Sequence, residues 1–508
     1  MKKCKIENVK HYLCPYFQFL LSAPIKKLAG QTAIYGLCSM IPRFLNYLLV
    51  PLHTGVFETA EYGVNTEWYT YVTFLVILLV YGMETGFFSF SRTTDKNKVY
   101  GTAFLSIITT STLFIACAVI FSRSIAQWMD YANNREYIVW FAWILGLDAI
   151  TAIPFARFRL DNKPLRFALY KLSNVVINVL LNFFFLWICP KYGDTAWVQA
   201  IYNPEVGVGY IFLSNLIASV ATILMLLPEI FRHKLYFDFG LWKRMVAYSL
   251  PLMAAGLTGN INEQIDRVLL KHRLHEIDLP MEQLGIYGAN IKIAVLMTLF
   301  IQMFRYAAEP FFFNNAKEKD SREIIAEVMK YFVIFCLFIF LGVMFYIDII
   351  KYFINSKYWE GLDIVPVMLL SYLCLGIYYN LSIWFKLSNQ TQYALMIVSI
   401  GAVISIAGNW LLIPMWGYHA SAWMHLVCYT VMILITWRLG KRHYPIPYPV
   451  KRMAMYMVIA LVLFALSHFT KMENIALNLL KNSILFALFI YCIHRKEKIW
   501  GNFFNNSL

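Results

Sequence analysis

Several charged and amide side chains stand where an apolar chain leaves them without water. Glu84 interrupts the run YTYVTFLVILLVYGMETGFFSF (69–90). A lone carboxylate there costs roughly several kcal/mol unless it is protonated or paired. The stretch NINEQIDRVLL (260–270) sets Asn260, Glu263 and Arg267 at i, i+3 and i+7, one face of a helix, with Asp266 beside Arg267. Lys171, Asn174, Asn178 and Asn182 share a face in the same way, and Arg43, Asp148, Lys292, Arg305 and Glu309 lie inside other apolar segments. Arg43, Lys171 and Lys292 have no obvious partner on their own helix, so positive charge is in surplus. An interior with surplus cations suits an anion, and the arginine fork matches phosphate oxygens through two parallel hydrogen bonds. Arg43, Lys171, Arg267, Lys292 and Arg305 are therefore the candidate substrate-binding cations. Glu84, Glu309, Asp148, Glu263 and Asp266 are the candidate gating or coupling acids, and Asn174, Asn178, Asn182 and Asn260 form a polar cavity face. A blander reading stands beside this one: Glu263–Arg267 and Arg305–Glu309 are i,i+4 pairs able to neutralise each other, and the asparagines can simply bridge helices.

No bond-making chemistry is encoded. The sequence lacks a Walker A, GxSxG or HExxH motif. The 10 histidines show no metal spacing, and the 9 cysteines include no CxxC. The expectation is a protein that is not an enzyme, with no catalytic residue, no metal and no cofactor. The driving forces left to it are an ion gradient (H+ or Na+), the membrane potential, or removal of product downstream.

The elements that must position these residues are membrane helices. Of the 508 residues 60% are hydrophobic and only 14% charged, against about half and a quarter in soluble domains. Apolar stretches long enough to span fall near 29–52, 63–90, 99–121, 137–156, 167–189, 207–228, 245–270, 284–313, 331–347, 364–385, 391–413, 417–437, 453–470 and 474–494, about fourteen helices. With the N-terminus inside, thirty of the 44 Lys and Arg residues fall in cytoplasmic segments and eight, Lys271 among them, in outer loops. That bias predicts cytoplasmic termini and makes the net charge of +15 a topology signal, not a nucleic-acid footprint. All loops are short.

Two registers repeat. Tyr62, Gly63, Asn65, Glu84, Phe87 and Phe88 recur 225 positions later as Tyr287, Gly288, Asn290, Glu309, Phe312 and Phe313. RFRLDNK (157–163) recurs as WFKLSNQ (384–390), with Asn182 mapping onto Asn409. An even number of helices per copy makes the copies parallel, related by an axis along the membrane normal. The expected architecture is an all-α polytopic membrane protein: a cytoplasmic segment 1–28, an N-lobe of six helices (29–230), a C-lobe of six (231–440), two further helices (441–495) and a tail (496–508).

The opening segment KKLAGQTAIYGLCSMIPRFLNYLLVPL (26–52), AEYGVN (60–65), DRVLL (266–270) and LGIYGAN (284–290) resemble the bacterial polysaccharide biosynthesis proteins. These are the oligosaccharide flippases of O-antigen type, in the multidrug/oligosaccharidyl-lipid/polysaccharide exporter superfamily. The resemblance covers about residues 26–495. It implies translocation of a polyprenyl-pyrophosphate-linked oligosaccharide from the inner to the outer leaflet of the bacterial cytoplasmic (inner) membrane. Such a protein serves O-antigen (lipopolysaccharide), capsule or exopolysaccharide synthesis, beside glycosyltransferases and a polysaccharide polymerase. The last two helices would then offer a groove for the lipid tail. The rivals are a cation-coupled drug or metabolite antiporter of the same superfamily and a membrane polymerase or ligase.

Overall fold

In the computed structural model the described residues are 40–232, 235–315, 321–388, 390 and 392–497. The expected cytoplasmic segment, the first half of the first span and the final tail beyond Glu497 lie outside them. The described chain is helical, without strands. Residues 40–47 form a helix that yields, just before Pro51, to α1 (Val50–Val56). There follow α2 (Thr59–Val80), α3 (Met83–Phe90), α4 (Lys96–Ile120), α5 (Arg135–Leu160), α6 (Pro164–Phe183), α7 (Gly209–Phe231), α8 (Phe239–Arg273) and α9 (Pro280–Asn315). Then come α10 (Ser321–Phe345), α11 (Val365–Leu381), α12 (Gln392–Trp416), α13 (Tyr418–His443), α14 (Val450–Phe469) and α15 (Ile475–Glu497).

Among the described residues 12 helical segments are long and apolar enough to cross a membrane. The expected span at 245–270 is the long helix α8. It has 35 residues, ample length, but its small and polar residues (Ser249, Pro251, Gly256, Thr258, Asn260 and Asn262 among them) and the charges toward its two ends make it less apolar than the others.

Local chemistry explains the boundaries. Asp95 accepts hydrogen bonds from the backbone N–H groups of Asn97 and Lys98 at 3.0 and 2.9 Å and starts α4. Asp238 does the same for Leu241 at 2.7 Å and starts α8. Glu58 and Glu61 form a reciprocal cap at the head of α2. The single span expected over 63–90 is in fact two helices. Tyr81 and Gly82 both take the left-handed region, with φ of 34° and 71°. The glycine has a second reason to be there: a Cβ on Gly82 would lie 2.6 Å from the Ser249 carbonyl oxygen of α8. The break thus lets the backbone of α2–α3 lie directly on α8.

The described residues form two compact units, one holding 40–299 and 351–444, the other 300–350 and 445–497. In the first, α7 packs on α5 and α6, α4 on α5, and α11 and α12 on α13. Helix α8 lies between α12 and the α2–α3 pair. An aromatic cluster fixes one part of it, with Trp68 stacked on Phe141 at 4.6 Å and Phe212 edge-on to Phe141 at 4.6 Å. In the second unit α14 and α15 pack on α10. Glu497 there accepts from Lys330 at 2.5 Å and from Tyr456 at 2.6 Å. Asn482 donates to the Phe345 carbonyl at 2.8 Å.

The two sequence copies occupy matching environments. Tyr62 and Tyr287 are both buried. Asn182 and Asn409 are both buried, and each donates to the carbonyl four residues back at 2.8 Å. A Cβ on Gly63 would collide with the Met281 carbonyl oxygen, and one on Gly288 with Thr66 Oγ1. Helices α2 and α9 therefore cross backbone to backbone at their first turns.

Candidate transport site

Arg267 lies six residues inside the Arg273 end of α8, and Lys292 twelve residues inside the Pro280 end of α9. At 1.5 Å per residue these are depths of about 9 and 18 Å. Lys292 is exposed although Ile291 and Ile293 on either side are buried. Its ammonium feels the charge of Arg267, and its own charge is felt by the ring of His53 on α1. Lys292 is therefore an exposed cation within electrostatic reach of Arg267 and His53, all in the first unit. Arg267 is half-buried, with Asp266 and Glu263 as counter-charges and Tyr62, Tyr287 and Tyr372 close enough to interact with it.

The α6 face expected from the sequence lies in the same unit. Lys171 sits over the Phe155 ring at 4.3 Å and has Asp148 as its electrostatic partner. Asp148 accepts from Ser219 of α7 at 2.9 Å, and Asn174 donates to Thr222 at 2.9 Å. Asn182 donates to the side chain of Asn178 at 3.0 Å and meets His53 Nε2 at 2.8 Å. His53 joins the two groups, because it is bonded to the asparagine ladder and coupled to Lys292. Metal spacing, the test applied to the ten histidines, does not find it. It stands one residue past the expected end of the first span at 52, so the search for polar residues inside apolar spans passes it by.

The other expected residues divide. Asn260 donates to Thr73 at 2.9 Å and ties α8 to α2. Glu263 is exposed and accepts from Tyr379 of α11 at 3.4 Å. Asp266 is buried beneath Arg267 and accepts from Tyr287 at 2.5 Å and from His425 of α13 at 3.2 Å. Arg43 is exposed and makes no ion pair with the described residues. Glu84 pairs with Arg159 of α5, whose guanidinium also lies over Phe88 at 5.1 Å; its partner here comes from its own half of the chain. Arg305 and Glu309 are one turn apart on α9, 4.0 Å between charges, in the second unit.

One group is not foreseen in the sequence at all. Lys271, expected in a solvated loop, is in the last turn of α8. Its ammonium is 2.8 Å from Glu67, 10% and 1% of the two side chains being exposed. Tyr131 donates to the second Glu67 oxygen at 2.5 Å, and Lys271 also donates to the Met129 carbonyl at 2.9 Å. With the α2–α9 crossing and the Lys357–Glu58 pair at 2.7 Å, this latch closes the Thr59 ends of the helices.

The family described as Polysaccharide biosynthesis protein matches residues 56–362. No curated protein matches the sequence. Among solved structures the fold is similar to the lipid II flippase MurJ in an inward closed conformation. The TM-score is 0.71 at 13% identity, over 91% of this chain and 99% of that one. It is also similar to an inward-facing multidrug resistance MATE family transporter of the MOP superfamily, with a TM-score of 0.64 at 11% identity over 81% and 97% of the two chains. A third similar structure is a MATE protein in complex with MaD3S, with a TM-score of 0.59 at 12% identity over 84% and 97%. At such identities the likeness establishes the fold.

Proposed function

The chain belongs to the polysaccharide biosynthesis protein family, and from that membership we propose that it is a flippase for a lipid-pyrophosphate-linked oligosaccharide. The observation that carries the reading is the Arg267–Lys292 pair, two cations on consecutive helices within electrostatic reach of each other, neither fully buried. Two like charges so placed repel each other, and that repulsion is relieved by a bound dianion. A pyrophosphate supplies the charge and the oxygens. The amide ladder on α6 offers hydrogen bonds to sugar hydroxyls, and the polyprenyl tail stays in lipid, with α14 and α15 as a candidate groove. No bond is made or broken; the activity is movement.

The excess of Lys and Arg in the loops after α3, α5, α7 and α9 argues that these loops are cytoplasmic, together with both termini. On that orientation the Glu67–Lys271–Tyr131 latch is on the outer side, and the structure is closed to the outside. Alternating access then consists of breaking the latch while the Glu84 end closes. The cargo would serve surface polysaccharide synthesis, of O-antigen, capsule or exopolysaccharide type, in the inner membrane, with glycosyltransferases upstream and a polymerase downstream. The likeness to MATE transporters favours one second reading, a cation-coupled antiporter of small molecules. Neighbouring glycosyltransferase genes would speak against it.

Arg267→Ala tests the reading. It should lower glycan export at least about tenfold at unchanged membrane abundance, and Arg267→Lys should restore only part, because an ammonium cannot donate in parallel to two oxygens. Normal export by Arg267→Ala would remove the cation pair from the mechanism.

A further inference from the structure

The cluster under Arg267 has a feature that a purely structural carboxylate lacks. Asp266 Oδ2 accepts from Tyr287 at 2.5 Å and meets His425 Nε2 at 3.2 Å, with Asp266 2% and His425 4% exposed. Yet Asp266 Oδ1 and His425 Nδ1 are both buried without a hydrogen-bond partner among the described residues. Among the described residues with an unpartnered buried polar atom, these two are the acid and the base that bond each other. The two unpartnered atoms leave the pair a place for a proton on either side.

We infer that Asp266, His425 and Tyr287 form a proton site thermodynamically linked to anion binding at Arg267. The inference rests on the flippase reading and adds the coupling ion and its residues. With no proton on it the Asp266–His425 pair carries one negative charge, which neutralises Arg267. With one proton, taken from water, the pair is neutral overall, as carboxylate and imidazolium or as carboxylic acid and imidazole, and the charge of Arg267 is left for a phosphate oxygen. Tyr287 donates to Oδ2 in either state. Proton and anionic substrate therefore favour each other, and linkage makes the effect reciprocal.

The surroundings leave this exchange to few groups. On α8 itself the neighbours are Glu263 and Arg267. Helix α9 brings Tyr287 and Lys292, α11 brings Tyr372 and Tyr379, α13 brings Tyr429, and α2 brings Tyr62. Helix α12 carries no acidic or basic residue, and α3 and α4 meet α8 toward its other end, around Met245, Ser249 and Trp242. Glu263 is exposed and faces Tyr379. Lys292 and Arg267 both raise the pull for an anion. Of these groups the buried pair is the one with an unpartnered atom on each half, and proton uptake at Lys292 instead would persist in variants of the pair.

Calorimetry of undecaprenyl pyrophosphate binding to the full-length protein in micelles, in two buffers of different ionisation enthalpy, counts the protons. Wild type should take up close to one proton per ligand, and its affinity should fall by about tenfold per pH unit above the titration of the cluster. Asp266→Asn, a near-isosteric mimic of the protonated acid, should bind with neither the uptake nor the slope. His425→Gln, which leaves Asp266 with Tyr287, should also lose the slope and serves if the first variant does not fold. Equal proton uptake by wild type and both variants would overturn the inference alone, since the ligand would then supply the protons. So would binding that requires Na+ and takes up none. Absence of binding at every pH would overturn the functional reading, and this inference with it.

Discussion

Single residues decide most of what this protein can do, and they are unequally legible. The criterion that finds Glu84, an acid inside an apolar span, applies equally to Glu67 in the same span, yet only Glu84 carries the repeated motif that draws attention to it. Lys271 is hidden by its position: a lysine near the end of a span counts as topology signal, and nothing in its neighbours announces that α8 continues to Arg273. Its partner Glu67 is nearly fully buried. Removing one partner of a buried ion pair leaves the other charge uncompensated, a cost of about 3–5 kcal/mol to the closed arrangement. Lys271→Met should therefore loosen the Thr59 ends, so that a cysteine introduced near Tyr131 becomes reactive to a membrane-impermeant maleimide. Lys271→Met combined with Glu67→Gln should cost much less than the sum of the single changes. Unchanged labelling in the single variant would mean that the latch is not what holds this end shut. A second residue-scale effect is pH-dependent. The Lys98 ammonium, 2.6 Å from Asp238, and the Leu241 N–H hold the Asp238 carboxyl below the usual carboxylate range. A depressed acid stabilises the fold above its unfolded pKa and loses that contribution as pH falls through its folded one. Acidification below the ordinary aspartate range should fray the first turn of α8, seen as faster amide exchange at 239–242, and Asp238→Asn should abolish the pH dependence.

Helices are easier to read than the breaks inside them. Apolar length marks the spans, and the face shared by Lys171, Asn174, Asn178 and Asn182 is one face in the structure, with His53, Asp148 and Thr222 around it. The break at Tyr81–Gly82 is not legible as such, because a glycine in an apolar run does not say whether it kinks the chain or packs closely. Here it does both, against Ser249. The same holds for the repeated Gly63 and Gly288, whose match in sequence reflects one packing device used twice. An alanine at Gly285 would drive its Cβ into the Thr59 carbonyl oxygen, backbone that has little room to give. Gly285→Ala should prevent the α2–α9 crossing and leave the Thr59 ends open, with accessibility to maleimide like that of Lys271→Met. Tight closure in Gly285→Ala would show that the crossing has slack that the packing does not display.

At the scale of the whole molecule the two copies explain why polar residues stand out from the sequence at all. A pattern repeated about 225 positions apart constrains polar residues in pairs, so Asn182 with Asn409 and Tyr62 with Tyr287 rise above their apolar surroundings and are matched in environment. What pairing cannot reveal is where the copies have diverged. In the register that sets Tyr62 on Tyr287, Lys292 falls on Glu67 and Arg267 falls on Pro42, so neither has a cationic counterpart in the first copy. The asymmetry that sets the Arg267–Lys292 pair on one half and the asparagine ladder with His53 on the other appears only when α1, α6, α8 and α9 are seen together. The central claim is that this asymmetric interior carries a lipid-linked pyrophosphate sugar across a bilayer. Its most direct test is reconstitution of the purified protein in vesicles loaded with undecaprenyl-pyrophosphate-linked oligosaccharide. Exposure of the sugar on the outer leaflet is then followed over time with a membrane-impermeant glycosidase. Wild type should expose the initially protected pool and Arg267→Ala should not, beyond the rate of empty vesicles; equal exposure with wild type, Arg267→Ala and no protein would contradict the account.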